Sequence, residues 1–181
     1  MDRERLVLAV AGPHGSGRST QARILAKELG LRYVSAGTIF RERANELGIS
    51  LEEMSRRASE DPEFDNYLDE RTKKEANEGG VVIDATLSGW MAEVAHLRIY
   101  LSCPLEERAK RIAEREGRSV EKVLEETRYR EASELRRFRE YYGVDLEDLS
   151  IYDLVLNTSH LDAASVSRIL KNVVAEYLRC R

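Results

Sequence analysis

The first sign of chemistry in the sequence is a glycine-rich stretch near the N-terminus, residues 12–20 (GPHGSGRST). It fits the pattern G-x-x-x-x-G-[KR]-[ST], in which backbone N–H groups surround a phosphate and the following helix adds positive potential. The stretch lies between an apolar run at 6–11, which predicts a strand, and a helical pattern at 18–29. This is the context that the motif requires, so we predict a phosphate-binding loop.

The basic position of this motif holds Arg18 where lysine is usual. Arginine keeps the positive charge, but its planar fork is larger and does not simply replace an ammonium point charge. We therefore expect phosphate binding to be retained. The hydroxyl position is Ser19, which we expect to ligate Mg²⁺.

The rest of the sequence narrows the class of phosphate-binding protein. A GTPase needs D-x-x-G after a strand and N-K-x-D to read the base, and the stretches 84–87 (DATL) and 157–160 (NTSH) supply neither. A small kinase must shield two phosphates from water, so arginines should arrive from mobile segments. The candidates are Arg41, Arg108, Arg111, Arg115, Arg128, Arg130, Arg136, Arg137 and Arg139.

The composition sets limits on partners. The chain has 29 Lys+Arg against 33 Asp+Glu, a formal charge of −4, which argues against a general nucleic-acid coat protein. No basic patch interleaved with aromatic residues supports an RNA-associated ATPase. Of the basic residues, 23 are arginine and 6 are lysine. This surplus fits heat adaptation and also fits bidentate binding of phosphate.

The order of elements predicts an α/β fold, because strand patterns alternate with helical patterns. We predict strands at 6–11, 31–34, 81–83, 97–101 and 154–156, and helices at 18–29, 38–47, 51–59, 62–78, 104–115 and 163–178. Two helical stretches, about 38–78 and 117–142, contain few core residues, as mobile flaps would.

The length of 181 residues suits one domain. No apolar run reaches the length of a membrane span, and the first residues show no leader pattern, so we expect a cytoplasmic protein. Cys103 and Cys180 lie far apart in the sequence and form neither a disulfide pattern nor a metal pattern.

Six stretches, spread over nearly the whole chain, resemble archaeal-type cytidylate kinases. They are GPHGSGRST (12–20), SAGTIFRERA (35–44), LSGWM (87–91), CPLEERAKRIAEREGRS (103–119), REASELRRF (130–138) and YYGVDLEDLSIYDLVLNTS (141–159). The resemblance implies a P-loop NTPase fold, three-layer α/β/α, with a five-stranded parallel sheet. It also implies a core (1–36, 79–116 and 143–181), a helical monophosphate-binding flap (about 37–78) and an arginine-rich lid (about 117–142).

The same resemblance implies transfer of the γ-phosphoryl group of ATP to CMP or dCMP, with Mg²⁺. The implied partners are these small-molecule nucleotides, without nucleic acid or membrane, and the protein is expected to be a monomer. The implied ATP-binding residues are Gly12, Pro13, His14, Gly15, Ser16, Gly17, Arg18, Ser19, Thr20 and Arg111. The implied catalytic residues are Arg18, Arg130, Arg136 and Arg137, and the implied Mg²⁺ contacts are Ser19 and, through water, Asp84.

On the acceptor side, Arg41 resembles the family arginine that holds the acceptor phosphate. The residues expected to bind CMP are Ser35, Gly37, Thr38, Arg41, Asp65, Thr86 and Gly89. The sequence departs from the family at 85–86, where Ala-Thr replaces a common Gly-Arg. A threonine hydroxyl supplies no charge, and losing a charge-assisted contact costs about 1.5–3 kcal/mol of acceptor binding unless another basic residue compensates.

Two alternatives remain open at this stage. Within the same class, an adenylate kinase or another nucleoside monophosphate kinase is the nearest. In another class, Arg18 and Thr86 together would fit a nucleotide-binding protein with weak or no kinase activity. For isolated arginines on helix faces, an i,i+4 ion pair with glutamate is the alternative to a phosphate contact.

Overall fold

The computed structural model describes residues 5–50, 53–54, 57 and 63–180, with the backbone alone for 63–65. Most of the helix predicted at 51–59 lies outside the described residues. So does Pro62, at which we expected the next helix to begin.

Five parallel strands form one sheet in the order β2-β3-β1-β4-β5. They are β1 (Val7–Ala11), β2 (Arg32–Ser35), β3 (Val81–Asp84), β4 (Leu97–Ser102) and β5 (Leu154–Asn157). Every residue of the central strand β1 (VLAVA) and of β3 (VVID) is buried, as expected for inner strands of a sheet that is covered on both faces, whereas β2, β4 and β5 also contain partly buried or exposed residues.

Seven helices have both of their ends within the described part of the chain. They are α1 (Arg18–Leu29), α2 (Ala36–Leu47), α3 (Glu63–Glu78), α4 (Ser88–Met91), α5 (Leu105–Glu116), α6 (Val120–Tyr142) and α7 (Ala163–Arg179). Local signals set their ends: α1, α2, α5 and α6 each stop at a glycine with positive φ. At the other end, Ser119 caps α6 and Asp162 caps α7.

The core covers both faces of the sheet. On one face, Leu8 and Ile99 pack with Leu25 of α1 and Leu170 of α7, all fully buried. A smaller cluster on the other face contains Val7, Ala9, Ala76, Val81, Ile83 and Ala92. Because β1 is enclosed on both sides, the loop that follows it starts from a fixed position.

The carboxyl ends of the parallel strands place the candidate site. The glycine loop follows β1, while Asp84 ends the neighbouring β3 and pairs in register with Ser35 at the end of β2. On the other side, β4 and β5 end at Ser102 and Asn157, which are also paired. Ligands of open α/β sheets bind at this edge.

The α/β class with a five-stranded parallel sheet is confirmed. Each predicted strand is found within one residue at either end, and α1 has the predicted bounds. The short helix α4 (SGWM) was not predicted, because four residues carry no helical periodicity. The stretch expected as a lid contains a single 23-residue helix, α6, whose buried side chains are Val123, Thr127 and Phe138.

Gly89 in α4 is close to the buried ring of Tyr152, and a Cβ at position 89 would lie 2.7–2.8 Å from three of its atoms. We expect Gly89→Ala to lower the free energy of unfolding by about 1–3 kcal/mol, since the ring packs between Trp90 and Tyr100 and has little room to shift. Urea unfolding measures this. Gly37→Ala is the matched control, and equal losses in the two variants would contradict the packing role.

Candidate active site

The glycines of the loop at 12–20 have the backbone that a phosphate cradle needs. Gly12, Gly15 and Gly17 have φ values of +141°, +82° and +92°. A Cβ on Gly12 would lie 2.3 Å from the carbonyl oxygen of Leu101, so no other residue fits there. Gly17 precedes α1, and no side chain caps this helix. The first N–H groups of α1 are therefore available to an anion.

A cleft of about 670 Å³ opens over this loop. Its floor is the loop and the start of α1, and its far wall includes Thr158, Leu161 and Val166. The guanidinium-bearing residues that line it are Arg18, Arg111, Arg115, Arg118 and Arg130. The volume suits a nucleotide-sized ligand, and the concentration of arginines suits its phosphates.

Arg18 is one of the residues that line this cleft, but its guanidinium lies toward the end of β3. The Nε atom donates to Asp84 Oδ1 at 2.5 Å, and Nη1 donates to the Gly12 carbonyl oxygen at 2.8 Å and to Thr86 Oγ1 at 3.2 Å. The side chain of Arg18 is 14% exposed and that of Asp84 is 2% exposed. The two departures from the family pattern, at 18 and 86, are therefore in direct contact.

Asp84 has a second donor, the hydroxyl of Tyr33 on β2, at 2.6 Å from Oδ2. Burial and the neighbouring carboxylate raise the pKa of the Tyr33 hydroxyl, so it stays protonated and donates. Both carboxylate oxygens of Asp84 are thus fixed in orientation, one by Arg18 and one by Tyr33.

Arg108 joins three parts of the site. Its guanidinium donates to the carbonyl oxygens of Cys103 and His14, at 2.8 and 2.9 Å, and forms two bonds to the carboxylate of Glu131 on α6. The residue is 5% exposed. Arg108 therefore fixes the back of the phosphate loop and connects it to the lid helix. It does not line the cleft.

A second contact between loop and lid centres on Glu134. His14 Nε2 lies 3.1 Å from Glu134 Oε1, and Arg130 Nε donates to the same oxygen at 3.0 Å. Burial raises the pKa of this carboxyl, but the contacts with His14 and Arg130 outweigh burial and lower the pKa to about 2. In this arrangement Arg130 lies at the cleft while one of its donors is bound by Glu134.

The low pKa of Glu134 predicts how stability depends on pH. A carboxyl whose pKa falls from 4.5 to about 2 on folding stabilises the protein above pH 4.5, and this contribution is lost as pH falls from 4.5 toward 2. Glu134→Gln should therefore lose at most about 3 kcal/mol of unfolding free energy at pH 5 and much less at pH 3. Chemical denaturation at both values measures the difference. The exposed Glu140→Gln on the same helix should show no such trend, and a pH-independent loss for Glu134→Gln would contradict the lowered pKa of Glu134.

The remaining predicted donor-side residues lie in different surroundings. Arg111 lines the cleft and donates to the hydroxyl and the carbonyl oxygen of Thr158, at 3.1 and 2.8 Å. Arg136 and Arg137 are exposed and do not line the cleft, and the guanidinium of Arg137 lies 5.2 Å from the ring centre of Phe138. The loop residues from Pro13 to Thr20 all line the cleft.

On the acceptor side, the hydroxyls of Ser35 and Thr38 form a capping box at the start of α2. Ser35 Oγ accepts from the Thr38 N–H at 3.1 Å, and Thr38 Oγ1 accepts from the Ser35 N–H at 2.8 Å. Gly37 and the exposed Arg41 lie in the first turns of the same helix. The backbone of Asp65 belongs to α3, but its side chain lies outside the described part of the chain.

Sequence reasoning missed the roles of Tyr33, Glu131 and Glu134, and it placed Arg108 only among the arginines leading into the lid. The contacts of these residues with Asp84, Arg108 and His14 join residues from 23 to 120 positions apart, so no local spacing reveals them. One signal was available: Glu134 stands four residues after Arg130, the spacing of a helical ion pair.

Among the described residues, no group of three or more His, Cys, Asp or Glu side chains could hold a metal ion. Ser19, which lines the cleft, and Asp84, at the end of β3, nonetheless offer oxygen atoms of the kind that Mg²⁺ prefers. This ion keeps several waters and takes substrate phosphate oxygens together with one or two protein oxygens. Ser19 at the cleft and Asp84 at the end of β3 are the oxygen donors that such an ion would use.

The sheet order and the loop after β1 define the class, a P-loop α/β protein with a nucleotide-sized cleft. Shikimate kinase from Bacteroides thetaiotaomicron is a structural neighbour, with a TM-score of 0.63 at 14% identity over 94% of this chain and 98% of that one. A protein of Eubacterium ventriosum described as uncharacterized has a TM-score of 0.69 at 16% identity, over 94% and 99% of the two chains. At such identities the likeness concerns the fold alone.

Residues 7–160 match the model of the cytidylate kinase-like family, and the chain belongs to this family. The cytidylate kinase of Staphylothermus marinus is 45% identical over 175 residues, which cover 96% of this chain and 99% of that protein. The cytidylate kinase of Ignicoccus hospitalis is 48% identical over 169 residues, which cover 93% of this chain and 98% of that protein.

No helix in the described part of the chain is long and apolar enough to cross a membrane.

Proposed function

We propose that this protein transfers the γ-phosphoryl group of ATP to CMP or dCMP, giving ADP and CDP or dCDP. The observation that carries the proposal is the phosphate loop, which opens into an arginine-lined cleft in a chain 45–48% identical to two cytidylate kinases over nearly its full length. Phosphoryl transfer depends mainly on positioning and on stabilising the charge of the transferred group. The four arginines that line the cleft besides Arg18 supply positive charge for both tasks.

The donor triphosphate is held by the loop at 12–20. Its backbone N–H groups and the start of α1 bind the phosphates. Arg111, which donates to the carbonyl oxygen of Thr158, binds the donor nucleotide from the other side of the cleft. Arg130, which lines the cleft and donates to Glu134, would contact the transferring group after releasing Glu134. Arg136 and Arg137, exposed in this structure, would reach phosphate only if α6 changes its position.

Bound Mg²⁺ supplies charge neutralisation at the donor phosphates. Ser19 would hold it directly and Asp84 through water. The fixed carboxylate of Asp84 suits this second role, because Arg18 and Tyr33 leave it a single orientation.

The acceptor nucleotide would lie beside the ends of β2 and β3. Arg41 in α2 would hold its phosphate, together with the residues at the start of that helix. The segments about 37–78 and 117–142 serve as flap and lid in this scheme. Closing them would exclude water, so that the phosphoryl group passes to CMP and not to water.

The test is incubation with ATP and Mg²⁺ and, separately, CMP, dCMP, UMP, AMP and GMP, with separation of the products by chromatography. We expect diphosphate formation to be fastest with CMP or dCMP. Faster turnover of AMP would favour an adenylate kinase. The absence of any diphosphate product, with ATP still bound, would favour a nucleotide-binding protein without kinase activity.

A further inference from the structure

The unusual arginine of the phosphate loop lies on the side of the sheet that carries the acceptor flap. The donor cleft faces the β4–β5 half, where Thr158 and Leu161 form its wall. The guanidinium of Arg18 instead bonds to Gly12, Asp84 and Thr86, at the ends of β1 and β3. The next strand outward is β2, which leads directly into α2.

Three of the five N–H donors of Arg18 are fixed by the protein. Nε donates to Asp84, and the two hydrogens of Nη1 serve Gly12 and Thr86. In the part of the chain that the structure describes, Nη2 has no hydrogen-bond partner. The Arg18 side chain is only 14% exposed, and the two N–H groups of Nη2 remain available to bind an anion.

Thr86 is matched to this position of the guanidinium. Its hydroxyl oxygen lies 3.2 Å from Nη1 of Arg18, so a longer side chain at 86 would enter the space that the guanidinium occupies. The bond from Tyr33 to Asp84 holds the carboxylate in place from β2. Arg18, Asp84 and Thr86 therefore form one contact unit. The small residue at 86 leaves space for the positively charged guanidinium of Arg18.

We infer that Arg18 binds the phosphate of the acceptor nucleotide through Nη2. The small side chain of Thr86 leaves the space that the guanidinium needs for this contact. Arg18 then does not act as a substitute for a donor-binding lysine. The charge that Thr86 cannot supply comes from the phosphate loop. This inference rests on the proposed function, because it assigns a residue to the acceptor of that reaction.

The test is a reciprocal exchange of the two residues: Arg18→Lys, Thr86→Arg and the double variant. Steady-state kinetics give KM for CMP and for ATP, and calorimetry gives Kd for CMP in the absence of ATP. We expect Arg18→Lys to raise KM and Kd for CMP about tenfold or more, while KM for ATP changes less than about threefold. Thr86→Arg should also weaken CMP binding, because two guanidinium groups compete for one space.

The double variant should recover most of the lost CMP affinity, since its arginine returns a guanidinium to the same place from position 86. Arg111→Lys is the donor-side comparison and should raise KM for ATP. Thermal unfolding of each variant verifies that it is folded. A rise in KM for ATP alone in Arg18→Lys, or additive losses in a folded double variant, would overturn the inference and leave the proposed function intact. A wild type that binds CMP but does not phosphorylate it would contradict the proposed function.

Discussion

Asp84→Asn is expected to lower kcat by about 10- to 100-fold, because in the proposed reaction Asp84 holds Mg²⁺ through water and changing an outer partner of a metal site usually costs this much. Asp84 is 2% exposed and accepts hydrogen bonds from Arg18 and Tyr33. A neutral amide leaves the charge of Arg18 without its buried partner, so the unfolding free energy should also fall, by about 3 kcal/mol. Steady-state kinetics over a range of Mg²⁺ concentrations and urea unfolding measure the two effects.

Tyr33→Phe is the control for this variant, because it removes one hydrogen bond to Asp84 and leaves the carboxylate and Arg18 in place. It should lose about 1 kcal/mol of stability, with a smaller change in kcat. If Asp84→Asn kept the wild-type kcat at every Mg²⁺ concentration, Asp84 would have no part in the reaction. Its contact with Arg18 would then be purely structural.

Arg108→Ala is expected to lower the unfolding free energy by about 3 kcal/mol and to raise KM for ATP. The reason is that Arg108 is buried and fixes the carbonyl oxygens of Cys103 and His14 together with the carboxylate of Glu131. Removing one partner of a buried pair leaves the other uncompensated, which costs more than the pair itself contributes. Urea unfolding and donor kinetics at saturating CMP are the measurements.

Lys110→Ala on the same helix is the matched control. Its side chain is 65% exposed and its ammonium nitrogen lies 3.9 Å from Glu107 Oε2, so its loss should change stability by less than about 0.5 kcal/mol. Arg108→Lys keeps the charge but cannot reproduce the fork of bonds, and we expect it to fall between the two. An Arg108→Ala protein as stable as Lys110→Ala would contradict the link between loop and lid.

Local sequence signals were sufficient for most of the fold. The apolar run before Gly12 and the helical spacing after Gly17 place the phosphate loop, and Gly30 ends α1 as expected. These features depend on neighbours within a few residues, because the spacing of apolar residues and the positions of glycines determine the local backbone conformation. The order of the strands in the sheet and the short helix at Ser88–Met91 depend on packing between distant segments, and no local pattern carries them.

The partners of the arginines were the part of the site that sequence could not provide. No local pattern in the sequence distinguishes the surroundings of Arg18, Arg108 and Arg130. In the structure, Arg18 contacts Asp84 at the end of β3, Arg108 is buried behind the loop and Arg130 is exposed at the cleft. Their carboxylate partners are 66, 23 and 4 residues away. Only the last separation is a helical spacing, and the roles of the other two follow from how the chain brings β3 and α6 to the loop.

The central claim is transfer of a phosphoryl group from ATP to CMP. Phosphorus NMR of wild-type protein with ATP, CMP and Mg²⁺ tests it most directly, because it resolves every phosphate product in one sample. The account predicts that ADP and CDP accumulate in equal amounts, with little inorganic phosphate. Release of ADP with an equal amount of inorganic phosphate and no CDP would contradict it.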